Sequence, residues 1–562
     1  PRNNNALEPV PKLVPTCQTA CSEGMVVYTD SPKAVANQKG VMEYLLINHP
    51  LDCPVCDQAG ECTLQDYSYD YGRGVSRFEE SKVKQPKKDL GPHVYLYADR
   101  CIMCTRCVRF TREVSGTAEL LVQGRGNQEQ IDVFPGVALD NELSANVVDL
   151  CPVGALLEKD FLFSQRVWFL KRTPSIDGIT ASGDNISIEH NQGKLYRFKP
   201  RINLAVNKWW ITDEVRYGWK HVHSEARLTS PLRKQFGVQI ETEWARGYSD
   251  AFDGIKRALG GGGGTGGTSS KRLALMVSPM LSCEEAFILA RAAQAFDPRA
   301  VMGVGPIPMQ GQDKTFPAGH AGGFKMYAEK CPNSRGVRRV LHAASEKTGG
   351  AASVLAYEQF IAKIRAADVA AVILTGNYPS DWITPELIRA LEGRFVVAID
   401  THSSTLTERA DIVLPGATWV EKAGTFQNAR DILQAFEAAI PCVGGSRPEG
   451  QIAQDLLALA GGRTLADASR GRNTVVYKST VQGTLAGTSI AGVTNDPDSG
   501  VNGTEIGQIS HDLVQSLRVS FNAADVRAEM AGTFPALGVF VTDVHMPQEG
   551  AAMMPEMEMV EI

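Results

Sequence analysis

Apolar and polar positions change their rhythm along this chain. Residues 1–80 hold a short apolar run, Met25-Val-Val-Tyr28, that reads as a strand, and a longer run from Ala34 to Ile47 with helical spacing. Residues 81–170 open on Lys82, Lys84, Lys87 and Lys88 around a proline, a charge run expected to be a solvated loop. From about residue 171, strand-like and helix-like segments alternate. Leu273–Val277 predicts a strand, Cys283 to Ala295 a helix, Ala370–Leu374 a strand, Pro385–Leu391 a helix and Phe395–Ile399 a further strand. That alternation predicts a parallel α/β sheet. Gly260 to Gly267 is all glycine except Thr265 and follows no strand, so it reads as a linker or surface loop and not as a phosphate cradle. Thr474 to Ile509, rich in Gly, Thr, Ser and Asn, predicts a long loop, and Gly550 to Ile562 a loose tail.

Length and composition narrow the class. The chain has 562 residues, 43% hydrophobic and 21% charged, an ordinary globular composition with room for several cores. Its apolar runs fall short of the roughly 18–20 residues that cross a bilayer. The net charge, 57 basic against 63 acidic residues or −6, argues against a general nucleic-acid binder. The sequence begins Pro-Arg-Asn-Asn-Asn without Met, so targeting signals cannot be judged from it.

Cysteine changes the picture. Nine of the twelve lie within the first 151 residues. Cys101-x2-Cys104-x2-Cys107 puts three thiols within seven residues, and Cys151-Pro152 supplies a distant fourth. Clustering of this kind belongs to metal or redox centres more than to disulfide frameworks. A [4Fe–4S] core needs four thiolates converging on four iron corners, which this set provides, whereas zinc usually takes cysteines in separated pairs. His49-x3-Cys53-x2-Cys56-x5-Cys62 is a second set, on a polar, glycine-containing loop. From spacing alone it suits either an iron–sulfur core or zinc held by three Cys and one His. Imidazole in place of a thiolate removes one negative charge, which by itself raises a cluster's reduction potential, although solvent access and hydrogen bonding can reverse that trend. Arg100, Arg106 and Arg109 flank or interrupt the Cys101 loop; they either stabilise a reduced cluster there or form a solvated face. Cys17 and Cys21, taken alone, read as free thiols. Cys283, Cys331 and Cys442 sit in no ligand motif and read as incidental. The turn Thr375-Gly-Asn377 reads as strand-end turn chemistry, and Gly303-Val-Gly305 is too weak a signal for a nucleotide site.

At this point the motifs carry a resemblance. Cys17 with its Lys-Leu-Val-Pro lead-in, the one-His-three-Cys set and the all-Cys set stand in the order found in the large iron–sulfur subunit of respiratory complex I, NADH:quinone oxidoreductase. The likeness continues through Pro174-Ser-Ile-Asp177, Val206-Asn-Lys-Trp-Trp-Ile-Thr-Asp213, Ala410-Asp-Ile-Val-Leu-Pro415 and Glu421-Lys-Ala-Gly-Thr-Phe-Gln-Asn428. The later segments resemble the molybdopterin-oxidoreductase fold. The resemblance implies a multidomain chain: small α+β iron–sulfur domains in front of a large α/β molybdopterin-oxidoreductase-like domain. The expected divisions are a [2Fe–2S] ferredoxin-like remnant (1–30), the one-His-three-Cys domain (31–80), the all-Cys domain (81–170), a degenerate cluster-binding subdomain (171–225), the α/β scaffold (226–545) and the tail (546–562). It implies one [4Fe–4S] cluster on His49, Cys53, Cys56 and Cys62 and one on Cys101, Cys104, Cys107 and Cys151. Cys17 would be the last of four ligands to a [2Fe–2S] cluster, formed only if the upstream ligands are present. Some members of the family hold a further cluster on C-x2-C-x3-C-x27-C; here those positions are Asp177, Thr180, Asp184 and Thr212, hard oxygen donors unsuited to a cubane, and no cluster is expected. No molybdenum cofactor is expected either.

The function so implied is that of an electron-relay subunit with no substrate site of its own. Its partners would be a flavin-bearing, NADH-oxidising subunit and other iron–sulfur subunits of the peripheral arm, without nucleic acid. It would meet the membrane only through partners, on the cytoplasmic face if bacterial or the matrix side if mitochondrial. The alternatives are an NAD-linked formate dehydrogenase or hydrogenase subunit sharing the front module, and a zinc scaffold without redox chemistry.

Overall fold

The computed structural model describes residues 10, 12–16, 18–260, 271–346, 354–461 and 521–547. Cys17, most of the glycine run, the long Thr474–Ile509 segment and the Gly550–Ile562 tail lie outside these residues.

The front is small and built from short elements. Helix α1 (Pro32–Leu46) starts where Ser31 accepts a hydrogen bond from the Ala34 N–H and proline occupies the first turn. Helix α2 (Thr63–Tyr71) follows directly on Cys62. Strand β1 (Lys87–Asp89) pairs antiparallel with β2 (Val94–Tyr97). Helix α3 (Arg106–Phe110) leads toward the hairpin β3 (Leu120–Gln123) and β4 (Gln130–Val133), and helix α4 (Asn146–Leu150) delivers Cys151 just before β5 (Leu156–Glu158), which pairs with β2. Two expectations fail here. Met25–Tyr28 forms no strand and its side chains are largely exposed, and no strand among the described residues pairs with it. The lysine run is not simply solvated: Lys82 Nζ donates to the Leu46 and Ile47 carbonyls at 2.8 and 2.9 Å, closing the C-terminus of α1, and Lys88 pairs with Asp132 at 2.5 Å.

A three-stranded antiparallel sheet follows, β6 (Lys171–Ile176), β7 (Asn185–Asn191) and β8 (Lys194–Pro200). The rear sheet is mixed. It contains a hairpin, β9 (Leu232–Gln235) and β10 (Val238–Glu241), then β11 (Arg272–Val277) and β12 (Val301–Val304). The small hairpin β13 (Lys314–Phe316) and β14 (Phe324–Met326) intervenes before β15 (Val369–Thr375), β16 (Phe395–Asp400) and β17 (Ile412–Pro415). The order is β10-β9-β17-β16-β15-β11-β12, parallel throughout except where β9 joins β17 and β10. The central strands are apolar on both faces because helices cover both. The antiparallel β9–β10 edge went unpredicted because its residues, Leu-Arg-Lys-Gln and Val-Gln-Ile-Glu, are half polar and face water on one side. A last hairpin, β18 (Gly424–Gln427) and β19 (Leu433–Phe436), shares a core with β6–β8 through Ile176, Phe198, Trp419 and Phe436.

Candidate iron–sulfur sites

The Cys101–Cys107 loop is wound tight by backbone conformation. Met103 and Thr105 both take positive φ, 52° and 58°, a left-handed geometry that non-glycine residues adopt at some cost. Those two turns wrap the loop around a cavity lined by Cys101, Cys104, Cys107 and Cys151 together. Leu96, Ile102, Ile131, Val153, Ala155 and Leu156 give it apolar walls, with Thr105 and Arg106 at the loop itself. Burial pushes the Cys107 thiol up to about 12, helped by the charges of Cys151, Cys101 and Cys104. Burial likewise lifts Cys151 to about 11, opposed by the N–H groups of Leu156, Val153 and Ala155 that face its sulfur. Thiols as buried as those of Cys101, Cys107 and Cys151 are costly to ionise without a cationic core to hold. The set therefore fits a [4Fe–4S] group, which Cys101, Cys104, Cys107 and Cys151 would ligate.

The second loop runs from His49 to Cys62. Cys53 opens a single 3-10 turn, Gly60 takes φ +90° beneath Val167 and Trp168, and Cys62 caps α2. Cys56 is buried, Cys62 half-buried and Cys53 exposed. Burial raises both Cys56 and Cys62, and the neighbouring Cys53 raises each further. Burial, then Arg100 and Lys82, lowers the His49 imidazole, with Asp99 and Asp52 opposing, so the ring is neutral at pH 7. Its Nδ1 is buried and has no hydrogen-bond partner. A neutral ring with an orphaned nitrogen is what a metal ligand requires, so this site also fits an iron–sulfur group.

The two sites share a stretch of backbone. Cys151 belongs to the first, while the Pro152 carbonyl lies 3.8 Å from the Cys62 sulfur. A Cβ on Gly154 would stand 2.2 Å from the Cys56 sulfur. Spacing alone gave no hint that Pro152 and Gly154 touch the other loop, nor that residues 163–169 cover it. There Arg166 donates to the Cys56 carbonyl at 2.8 Å and lies over the Trp168 ring, and the Phe163 N–H donates to Asp57 at 2.7 Å. The three arginines divide. Arg106 and Arg109 are exposed, as a solvated face predicts, but Arg100 is buried. Cys17 lies outside the described residues, and Cys21 is an exposed free thiol.

Asp177, Thr180 and Asp184 do come together, but as a hydrogen-bonded cluster. Asp177 accepts from the Ile179 N–H at 2.8 Å, the Thr180 N–H at 3.1 Å, the Ser182 hydroxyl at 3.0 Å and the Thr180 hydroxyl. Burial raises Asp177 to about 6 and Asp184 well above the usual carboxylate range, the latter helped by Asp177. Thr212 instead caps the helix Asp213–Tyr217 by accepting from Val215. Hard oxygen donors bonded to one another do not fit a cubane.

In the rear, the Thr375-Gly-Asn377 turn is filled from within. Asn377, at φ +75°, donates to the Ala417 carbonyl at 2.8 Å and to Glu449 at 3.1 Å. Glu449 in turn pairs with Lys422 at 2.5 Å, and Lys422 also reaches Glu285 at 3.0 Å, all three fully buried. Cys283, Cys331 and Cys442 stand apart, Cys283 against Asn333 and Cys442 against the Glu421 carbonyl. Gly305 lies under Tyr378, where a Cβ would meet its hydroxyl at 2.6 Å.

Comparison with known proteins agrees with this order. Four family models match in succession. These are the NADH-ubiquinone oxidoreductase-G iron-sulfur binding region over 38–77, the NADH-quinone oxidoreductase subunit 3 ferredoxin-like domain over 91–157, the NDSU1/NuoG-like 4Fe-4S domain over 170–220 and molybdopterin oxidoreductase over 293–459. The class is thus an iron–sulfur protein whose front modules precede a molybdopterin-oxidoreductase-type α/β domain. More narrowly, the chain is similar to the large iron–sulfur subunit of NADH:quinone oxidoreductases. It is 37% identical over 288 residues to the G-type subunit of the NADH-quinone oxidoreductase of Rickettsia felis, covering 51% of this chain and 41% of that protein. It is 44% identical over 246 residues to the mitochondrial NADH-ubiquinone oxidoreductase 78 kDa subunit of Neurospora crassa, covering 43% and 33%. The chain therefore spans less than half the length of the relatives it matches. A solved NAD+-reducing [NiFe]-hydrogenase is 28% identical, covering 25% of this chain and 60% of that one, with a TM-score of 0.23.

Proposed function

We propose that this chain is an electron-relay subunit of an NADH:quinone oxidoreductase, holding two [4Fe–4S] clusters and no substrate. One cluster would sit on Cys101, Cys104, Cys107 and Cys151, the other on His49, Cys53, Cys56 and Cys62. Cys17 would contribute to a [2Fe–2S] cluster with ligands from outside this sequence. When bound, such clusters take up and pass on single electrons. The chain's own residues set the separation, burial and charge around them. The observation that carries this reading is the Cys151–Gly154 segment, which belongs to one ligand set at its first residue and abuts a thiol of the other at its last. The buried Lys422–Glu285–Glu449 network, filling the turn where a pterin would be sought, supports a relay over a self-contained molybdenum enzyme.

A surface feature supports a partner at the His49 site. Leu51, 83% exposed, and Val55 on the His49–Cys62 loop, with Phe163, Trp168 and Phe169 on the segment that covers it, leave an exposed apolar apron on these two stretches. We read it as the face toward another iron–sulfur subunit, with a flavin-bearing, NADH-oxidising subunit upstream. Among the described residues no helix is long and apolar enough to cross a membrane. The complex would place the chain peripherally, on the cytoplasmic face in a bacterium or the matrix side in a mitochondrion.

The test is anaerobic iron and acid-labile sulfide counting with EPR after dithionite reduction. The expected result is about eight irons per chain, about two more with the upstream segment, and no molybdenum or tungsten. Stoichiometric zinc with no EPR signal would favour a scaffold, and molybdenum would make the rear domain an active site.

A further inference from the structure

Arg100 immediately precedes Cys101, so its backbone belongs to the all-Cys loop. Its side chain does not. It turns away and is 3% exposed. The guanidinium grips Asp52 through Nε at 3.2 Å and Nη2 at 2.9 Å, and lies 4.3 Å over the Tyr97 ring. Asp52 stands in the His49–Cys62 loop. The Arg100 Cδ and the Cys56 sulfur also flank one point, the place where a Gly154 Cβ would stand, at 3.7 and 2.2 Å. Arg106 and Arg109, by contrast, are exposed, and Arg106 also lines the Cys101 cavity.

The charge follows the side chain. The Arg100 Nη1 also donates to the Gly154 carbonyl at 3.5 Å, on the stretch of backbone that abuts the Cys56 sulfur. Other charged groups around these ligands are Asp52, Asp57, Asp99 and Lys82, together with Arg166, which donates to the Cys56 carbonyl at 2.8 Å, and Glu61, which pairs with Arg197 and Lys199. Asp52, the direct partner of Arg100, is 34% exposed, so water screens it and the buried cation keeps most of its field. Reduction of a cubane adds one electron and no proton, making the site more negative by one charge. A fixed, desolvated cation beside it favours the reduced state.

We propose that Arg100 is a positioning residue for the group at His49, Cys53, Cys56 and Cys62, not for the one whose loop it opens, and that its buried cation raises the reduction potential of that group selectively. The imidazole ligand and Arg100 then act in the same direction on that group. The inference rests on the relay reading above.

The test is an EPR-monitored redox titration of the assembled, membrane-bound complex, with the two signals assigned through a His49→Ala variant. In Arg100→Gln, the His49-site signal should titrate lower, by about a tenfold change in the oxidised-to-reduced ratio at fixed ambient potential, which is 59 mV for a one-electron couple. The Cys101-site signal should move by less than half as much. Asp52→Asn, at a half-exposed position, should shift the His49-site signal the opposite way, and it carries the test if Arg100→Gln fails to assemble. Equal shifts of both signals, a shift confined to the Cys101 site, or no shift would overturn the assignment while leaving the relay reading intact. Absence of both signals from the unaltered complex would overturn the relay reading and this assignment with it.

Discussion

Replacing Gly154 by alanine isolates one contact on which the reading depends. The backbone there lies outside the left-handed region, so alanine carries no conformational penalty and the lesion is steric. The new methyl would lie 2.2 Å from the Cys56 sulfur and 3.1 Å from the Gln58 Cβ. A carbon and a sulfur settle at well over 3 Å, so the sulfur must retreat by about 1 Å. Metal-site distances hold to within roughly 0.2 Å, and overpacking of this kind costs about 1–3 kcal/mol. The shift is thus several times what a ligand absorbs, while the fold survives. The segment itself gives little, since the Tyr97 N–H donates to the Ala155 carbonyl at 2.7 Å and Leu156 pairs with Leu96 across β2–β5. Iron counting and EPR on the variant complex should show loss of about four irons, with the His49-site signal gone and the Cys101-site signal retained. Both signals at full intensity would refute the argument, because Gly154 would then not abut a ligand. Gly40→Ala serves as the control. That residue lies in α1 with no atom within 4 Å of the new Cβ, so the change should add about 0.5–1 kcal/mol of stability and leave both signals unchanged.

Four further outcomes test other parts of the structure. Lys422→Met strips the cation from between Glu285 and Glu449 and should destabilise the chain by about 3–5 kcal/mol in chemical denaturation, with partial recovery on adding Glu449→Gln. Asp177 has a folded pKa raised from 3.8 to about 6, so its contribution to stability is full below about pH 4 and lost as pH rises through about 6; thermal melts should weaken across that window. Asp184, raised in the same direction and carrying a buried Oδ2 with no partner, should behave alike, so Asp184→Asn should flatten the decline and gain about 1–3 kcal/mol at pH 7. Trp168→Glu, on the exposed apron, should leave both EPR signals in place but weaken retention of the chain in the complex, measured by co-purification with the other subunits.

What was legible in the sequence was local. The ligand sets declare themselves because their thiols lie within a few residues of one another and only that spacing lets them share a core. The strand–helix alternation of the rear is equally local, and Arg272–Val277, Val369–Thr375 and Phe395–Asp400 fall where apolar runs put them. What was hidden depended on residues far apart. Lys82 looks like solvent-facing charge until Leu46 and Ile47 present unpaired carbonyls to it. Arg100 looks like part of the Cys101 loop until Asp52 and Tyr97 turn it. Met25–Tyr28 has strand composition and no strand to pair with among the described residues. A glycine two residues after Cys151-Pro152 was the one available signal for the close approach of the two loops, since a buried glycine without positive φ usually marks something packed against its missing side chain.

The rear sheet explains how a cofactor-type fold can act as a support. In open α/β sheets, ligands settle at the carboxyl ends of the strands where the order reverses. Here β12 and β15 leave β11 on opposite sides, so that point lies between the ends of β11 and β15. The chain closes it with its own groups. The Ser278 N–H donates to the Thr375 hydroxyl at 2.7 Å, and that hydroxyl donates to the Met276 carbonyl at 3.1 Å. Asn377 then ties Ala417 and Glu449 together one residue beyond Gly376, whose Cβ would collide with the Asp400 carboxylate at 2.1 Å. A crevice stitched in this way holds the domain rigid. The rigidity reaches the front through the β13–β14 hairpin, whose Phe316 and Phe324 pack into the same core as Phe110, Val153 and Leu156, and through the Lys314–Glu142 ion pair. Val153 and Leu156 line the Cys101 cavity. The rear domain therefore packs against the wall of the Cys101 cavity, and in the relay proposed above its contribution would be the geometry it fixes there.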